Sequence, residues 1–115
     1  MEWKSMKQYV VDELRPTDCQ KIKAYLEKNF DSSAIEGIYW IPVEKTLHSD
    51  KQAQHVACQP HYFAVQLEPD HMAFELLVRS RQRIRCDCIA YATQEQRNWL
   101  IEVSDAIFER LGIPI

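Results

Sequence analysis

At 115 residues, 46% hydrophobic and 27% charged, the chain has the composition of one globular domain built on a single core, far from that of a disordered segment. A formal net charge of -3 and a pI of about 5.8 argue against general nucleic-acid binding. No apolar run approaches the roughly 20 residues that cross a bilayer, and Met1 to Met6 lack the basic start and apolar stretch of a secretion signal. A soluble cytoplasmic protein without membrane association is expected, with Cys19, Cys58, Cys86 and Cys88 reduced rather than paired in a disulfide framework.

Lys7 to Leu14 has the residue types of a first strand. Pro16 followed by Thr17-x-x-Gln20 predicts a helix that opens on a capping box, with Cys19, Ile22, Leu26 and Phe30 at helical spacing on one face. Gly37 then interrupts the chain ahead of Ile38-Tyr39-Trp40-Ile41-Pro42-Val43, which is apolar at both parities and reads as a strand covered on both sides. A short helix from Ser49 to about Cys58 is ended by Pro60, because the residue before a proline avoids helical backbone.

A meander of three strands comes next. His61, Phe63, Val65 and Leu67 share one face of the first, and Met72, Phe74, Leu76 and Val78 share one face of the second. A turn over Glu68-Pro69-Asp70-His71 pairs Leu67 with Met72, Val65 with Phe74 and Phe63 with Leu76. A second turn near Ser80 to Gln82 sets Leu76 beside Cys86 and Phe74 beside Cys88, with Ile84 and Ala90 on the same face, so both thiols point toward the core. Thr93-x-x-Gln96 repeats the capping box, Trp99, Leu100, Val103, Ile107 and Leu111 recur at helical spacing, and Gly112 ends that helix. The fold class is α+β: over residues 1–115, one two-layer domain in which an antiparallel β-meander sheet packs against an N-terminal and a C-terminal helix.

Three groups of residues carry candidate chemistry. His55-x-x-Cys58-x-x-His61, followed by Cys86-x-Cys88, offers the thiolate and imidazole ligands that zinc takes in a tetrahedral cage. His55, Cys58 and His61 are the candidate metal ligands. On an extended strand Cys86 and Cys88 have Cα atoms about 6.8 Å apart, whereas tetrahedral zinc wants its sulfurs about 3.8 Å from each other, which counts against them. Cys58 between His55 and His61 is also the best candidate for a catalytic thiolate, although a helix C-terminus disfavours the charge.

The second group is Arg79, Arg83 and Arg85, which share the outer face around the last hairpin tip and make a basic spot fit for an anionic ligand, or simply a solvated edge. The third is aromatic and apolar: Tyr39, Trp40, Tyr62, Leu77, Ile89 and Tyr91 cannot all face one inner side, and uncovered apolar surface marks a partner site. Only Gly37 and Gly112 are glycines, so no phosphate-cradling loop exists, and no Gly-x-Ser-x-Gly elbow is present.

The leading expectation is a small binding or accessory protein without catalysis or cofactor, acting as a homodimer or on a protein partner through Tyr39, Trp40, Tyr62 and Tyr91. The alternatives are a zinc-binding domain and a thiol enzyme based on Cys58.

Overall fold

The computed structural model describes residues 7–33, 35–82 and 85–114. The described elements are β1 (Gln8–Val11), α1 (Pro16–Asn29), β2 (Asp31–Ser32), β3 (Ile38–Pro42), α2 (Asp50–Gln54), β4 (His61–Leu67), β5 (Met72–Glu75), β6 (Leu77–Ser80), β7 (Ala90–Tyr91) and α3 (Gln94–Leu111). The strands make one antiparallel α+β sheet in the order β1-β5-β4-β3-β2, with β6 alongside β4 and β7 on the far side of β6.

The first hairpin has the register that its alternation dictates, Leu67 opposite Met72 and Val65 opposite Phe74. Beyond Phe74 the expected register fails. Leu76 leaves the ladder: its N–H donates to the Lys7 carbonyl at 3.0 Å, and its carbonyl accepts the Ala92 N–H at 2.8 Å. Pairing with β4 then resumes out of step, Tyr62 opposite Arg79 and His61 opposite Ser80, in place of Phe63 opposite Leu76. Five steps from Phe74 to Arg79 answer three from Val65 to Tyr62, so two extra residues are accommodated, which bends the strand while Val78 and Ser80 stay on the buried face. The last strand is correspondingly short, with Ala90 opposite Val78 and Tyr91 opposite Leu77. Cys86 therefore does not lie beside Leu76, nor Cys88 beside Phe74; the Ile89 N–H closes a turn onto the Cys86 carbonyl at 3.0 Å. Ile84 lies outside the described residues.

Proline decides where α1 begins. Pro16 occupies the first helical turn, where its missing N–H is no loss, so Arg15 rather than Thr17 is the N-cap. The Asp18 carboxylate accepts the Arg15 backbone N–H at 3.2 Å and its Nε–H at 3.1 Å. At α3 the expected box forms, with Thr93 Oγ1 accepting the Gln96 N–H at 3.1 Å and Gln96 Oε1 accepting the Thr93 N–H at 3.0 Å. Gly112 closes the helix at φ 70°, a left-handed conformation that glycine adopts without Cβ strain.

Ile22 and Leu26 of α1, Leu100, Ile107 and Phe108 of α3, and Ile41, Phe63, Val65, Met72 and Phe74 of the sheet bury one shared core. Each such side chain contributes about 1.5–3 kcal/mol relative to exposure. The strand at 38–42 is covered on one side only: Tyr39 and Ile41 are buried, while Ile38 and Trp40 on the opposite face are half-buried. Tyr62 and Ala64 continue that second face, so the architecture is two layers with one sheet face more open.

Candidate metal centre

The sequence between Ser49 and His61 folds into successive short pieces because no part of it sustains a long helix. Ser49 caps α2 by accepting the Gln52 N–H at 3.2 Å. The helix stops at His55, a 3-10 turn spans Val56–Cys58, and a cis Gln59–Pro60 bond leads into β4 at His61. Across from these pieces sits the 85–89 turn. Gln52 Nε2 donates to the Cys88 carbonyl at 3.4 Å and Lys51 Nζ lies 3.3 Å from an Asp87 carboxylate oxygen, while Ser80 Oγ at the end of β6 donates to the Cys58 carbonyl at 2.6 Å.

That packing brings Cys58, Cys86 and Cys88 together, with all three sulfurs within 4.8 Å of one another. The Cys58 and Cys86 sulfurs are 3.7 Å apart, against about 3.8 Å in a tetrahedral zinc thiolate cage. A second group, His55, Cys86 and Asp87, meets the same 4.8 Å limit and shares Cys86 with the first. His61 Nε2 lies 3.3 Å from the Cys88 sulfur. Of the ligands expected from sequence, Cys58 thus joins the two other thiols, while His55 and His61 flank that triad at Cys86 and at Cys88. The strand argument against Cys86-x-Cys88 does not apply, because the pair sits on a turn.

The two imidazoles differ in their second nitrogen. His55 Nδ1 lies 2.6 Å from the Lys51 carbonyl, which can only accept, so Nδ1 carries the proton and Nε2 faces Asp87 at 3.4 Å. Metal-bound histidines almost always donate their other N–H in this way. His61 is fully buried, and its Nδ1 has no hydrogen-bond partner among the described residues. The His48 ring packs edge-on against it at 5.0 Å.

Burial holds both His61 and His48 below the ordinary histidine range, so both rings are neutral near pH 7. The Cys88 thiol is pushed up to about 12, chiefly by burial and then by its hydrogen bonds to Cys86 and Cys58. Cys86 moves the other way, because the Cys88 backbone N–H and then the Cys88 thiol donate to its sulfur. Cys58 is buried, its sulfur against Cys86, and Cys19 lies far along the chain with its thiol donating to the Pro69 carbonyl at 2.8 Å.

The other candidate groups are more dispersed. Tyr39 belongs to the core, only 3% exposed, with its hydroxyl donating to Glu27 at 3.2 Å. Trp40 and Tyr62 do meet, ring centroids 6.1 Å apart, and the Arg81 guanidinium lies over both at 5.6 and 5.3 Å while pairing with Asp31 at 3.0 Å. Tyr91 is 45% exposed with Lys7 Nζ 5.1 Å from its ring centroid. Arg79 pairs with Glu75, Arg85 is exposed, and Arg83 lies outside the described residues. Sequence reasoning counts against Cys86 and Cys88, places Arg81 in the arginine run but off its shared face, and does not reach His48. Asp87 was the available signal for the thiols, since aspartate favours a turn over a strand; nothing local marks His48.

These features define a small two-layer α+β domain carrying a cysteine and histidine cluster at one end of its sheet. No family model matches the chain, and neither a curated protein nor a solved structure shows significant similarity to it. No helix among the described residues is long and apolar enough to cross a membrane.

Proposed function

We propose that this protein is a zinc-binding domain whose ligands are Cys58, Cys86, Cys88 and His55. The observation that carries the reading is the convergence of three thiols, from segments 28 residues apart, to within 4.8 Å of one another, with the Cys58–Cys86 pair at 3.7 Å, close to the spacing a tetrahedral ion requires. Thiolates select a soft or borderline d10 ion, and zinc takes three thiolates and one imidazole in closed sites that stabilise folds. His55 is favoured over His61 as the fourth ligand because its Nδ1–H is already anchored on the Lys51 carbonyl. Were His61 Nε2 to bind the ion, its proton would sit on the partnerless buried Nδ1, at a cost of about 1–3 kcal/mol.

Elemental analysis of protein purified without a metal-affinity tag is expected to find about one equivalent of zinc. Cys88→Ser is expected to remove it and Cys19→Ser to leave it in place. Less than about a tenth of an equivalent in the unsubstituted chain ends the reading.

A second reading, association of two copies through the more open sheet face, is supported by the half-buried Trp40, Tyr62 and Leu77 and the exposed Val10 and Tyr91. Measurement of solution mass tests it.

A further inference from the structure

We infer that His61 is not a ligand but a positioning residue, donating its Nε2–H to the Cys88 sulfur and so holding that thiolate in place for the metal. The inference rests on the zinc reading and assigns a role to the one fully buried histidine that reading leaves unused.

Cys88 is only 1% exposed, so water cannot offset the charge its sulfur acquires on binding a metal. A thiolate in such a place needs fixed donors. His61 Nε2 at 3.3 Å is a ring nitrogen within hydrogen-bond reach of that sulfur. Two constraints set the direction of the bond. Once Cys88 is a thiolate it has no proton to give, so the hydrogen must come from the imidazole. A neutral imidazole that donates from Nε2 leaves a bare lone pair on Nδ1, the atom without a partner, and an unpaired acceptor is better tolerated than an unpaired N–H. The opposite tautomer leaves the donor orphaned and the thiolate uncompensated.

The ring has little freedom to turn away. His61 begins β4, its backbone opposite Ser80, and the Ser80 hydroxyl in turn donates to the Cys58 carbonyl at 2.6 Å. His48 packs edge-on against the ring at 5.0 Å, fixing its plane. The same strand end therefore sets both the imidazole and the carbonyl of one proposed ligand.

The test uses cobalt(II) in the full chain, whose d–d absorption reports coordination number and whose sulfur-to-metal charge-transfer bands report on the thiolates, together with zinc affinity by competition against a chromophoric chelator. His61→Phe is expected to keep the intense d–d bands of a four-coordinate site, move the charge-transfer bands to lower energy, and weaken zinc binding about 10- to 100-fold. His61→Gln, whose amide N–H reaches the same position, is expected to recover most of that loss. His55→Ala is expected to weaken the d–d bands instead. If His61→Phe weakens the d–d bands as His55→Ala does, His61 is a ligand and the inference fails; unmoved charge-transfer bands with unchanged affinity also overturn it. Because His61→Phe is a core substitution, the unsubstituted chain loaded with cadmium-113 supplies an independent readout. Scalar coupling of the metal to His55 Nε2, with a proton on His61 Nε2, supports the assignment; coupling to His61 Nε2 defeats it. A chain that develops no thiolate charge transfer with cobalt at all overturns the zinc reading itself.

Discussion

Two sulfurs separated by one residue take their spacing from the backbone between them. On the 86–89 turn the Cys88 N–H folds back onto the Cys86 sulfur, which favours the thiolate at Cys86, while burial keeps the proton on Cys88. The buried ionisable groups make stability of the metal-free chain depend on pH in two directions. For Cys88 the folded value lies above the unfolded one, so its contribution is complete below roughly pH 8.5 and is lost as pH rises toward about 12. For His61 and His48 the folded values lie below the unfolded one, so their contribution is complete above roughly pH 6.5 and is lost as pH falls through the depressed values. Urea unfolding of chelator-treated protein is expected to give a stability maximum between about pH 6.5 and 8.5. A curve still rising above that window contradicts the buried thiol, and one still rising below it contradicts the buried imidazoles.

Between elements, glutamines carry the connection from helices to the cysteine-bearing turn. Gln96 serves as the third residue of α3 and is fully buried. Its Oε1 completes the capping box, and its Nε2 donates at 2.8 Å both to the Leu47 carbonyl and to Gln52 Oε1. Gln52 has the matching place in α2, where its Oε1 accepts the Ser49 N–H at 3.0 Å, and its Nε2 reaches the Cys88 carbonyl. Two capping boxes and the cysteine turn are thus one polar network, where removing a member strands its partners. Gln96→Leu is expected to lose about 2–4 kcal/mol in denaturant unfolding, more than the ~1 kcal/mol of a lost cap alone. A loss confined to the smaller figure would show that the network relaxes. The pattern Thr93-x-x-Gln96 makes the cap legible in the sequence; that the same amide also holds a loop some 49 residues away is not.

At the scale of the whole molecule, the sheet has a helix-covered face and a more open one, and the open one carries Trp40, Tyr62 and Leu77 half-buried beside exposed Val10 and Tyr91. Apolar side chains in that number favour burial against another surface, and a second copy supplies a matching one by symmetry. Sedimentation at micromolar concentration is expected to find a dimer that Trp40→Glu converts to monomer; a monomer in the unsubstituted chain removes the reading. The sequence by itself determined the fold class, both terminal helices and the first hairpin register, because period-two and helical spacing in strongly apolar segments leaves one face to bury. By residue type it also offers His55, Cys58 and His61 as metal ligands, while the strand spacing assigned to Cys86-x-Cys88 counts against those two thiols. Only the tertiary structure decided that Leu76 leaves its ladder for Lys7 and Ala92, and hence that Cys86 and Cys88 lie on a turn instead of a strand. That decision depends on hydrogen-bond partners distant in sequence, and it converts two thiols expected to face the core from a strand into the candidate centre.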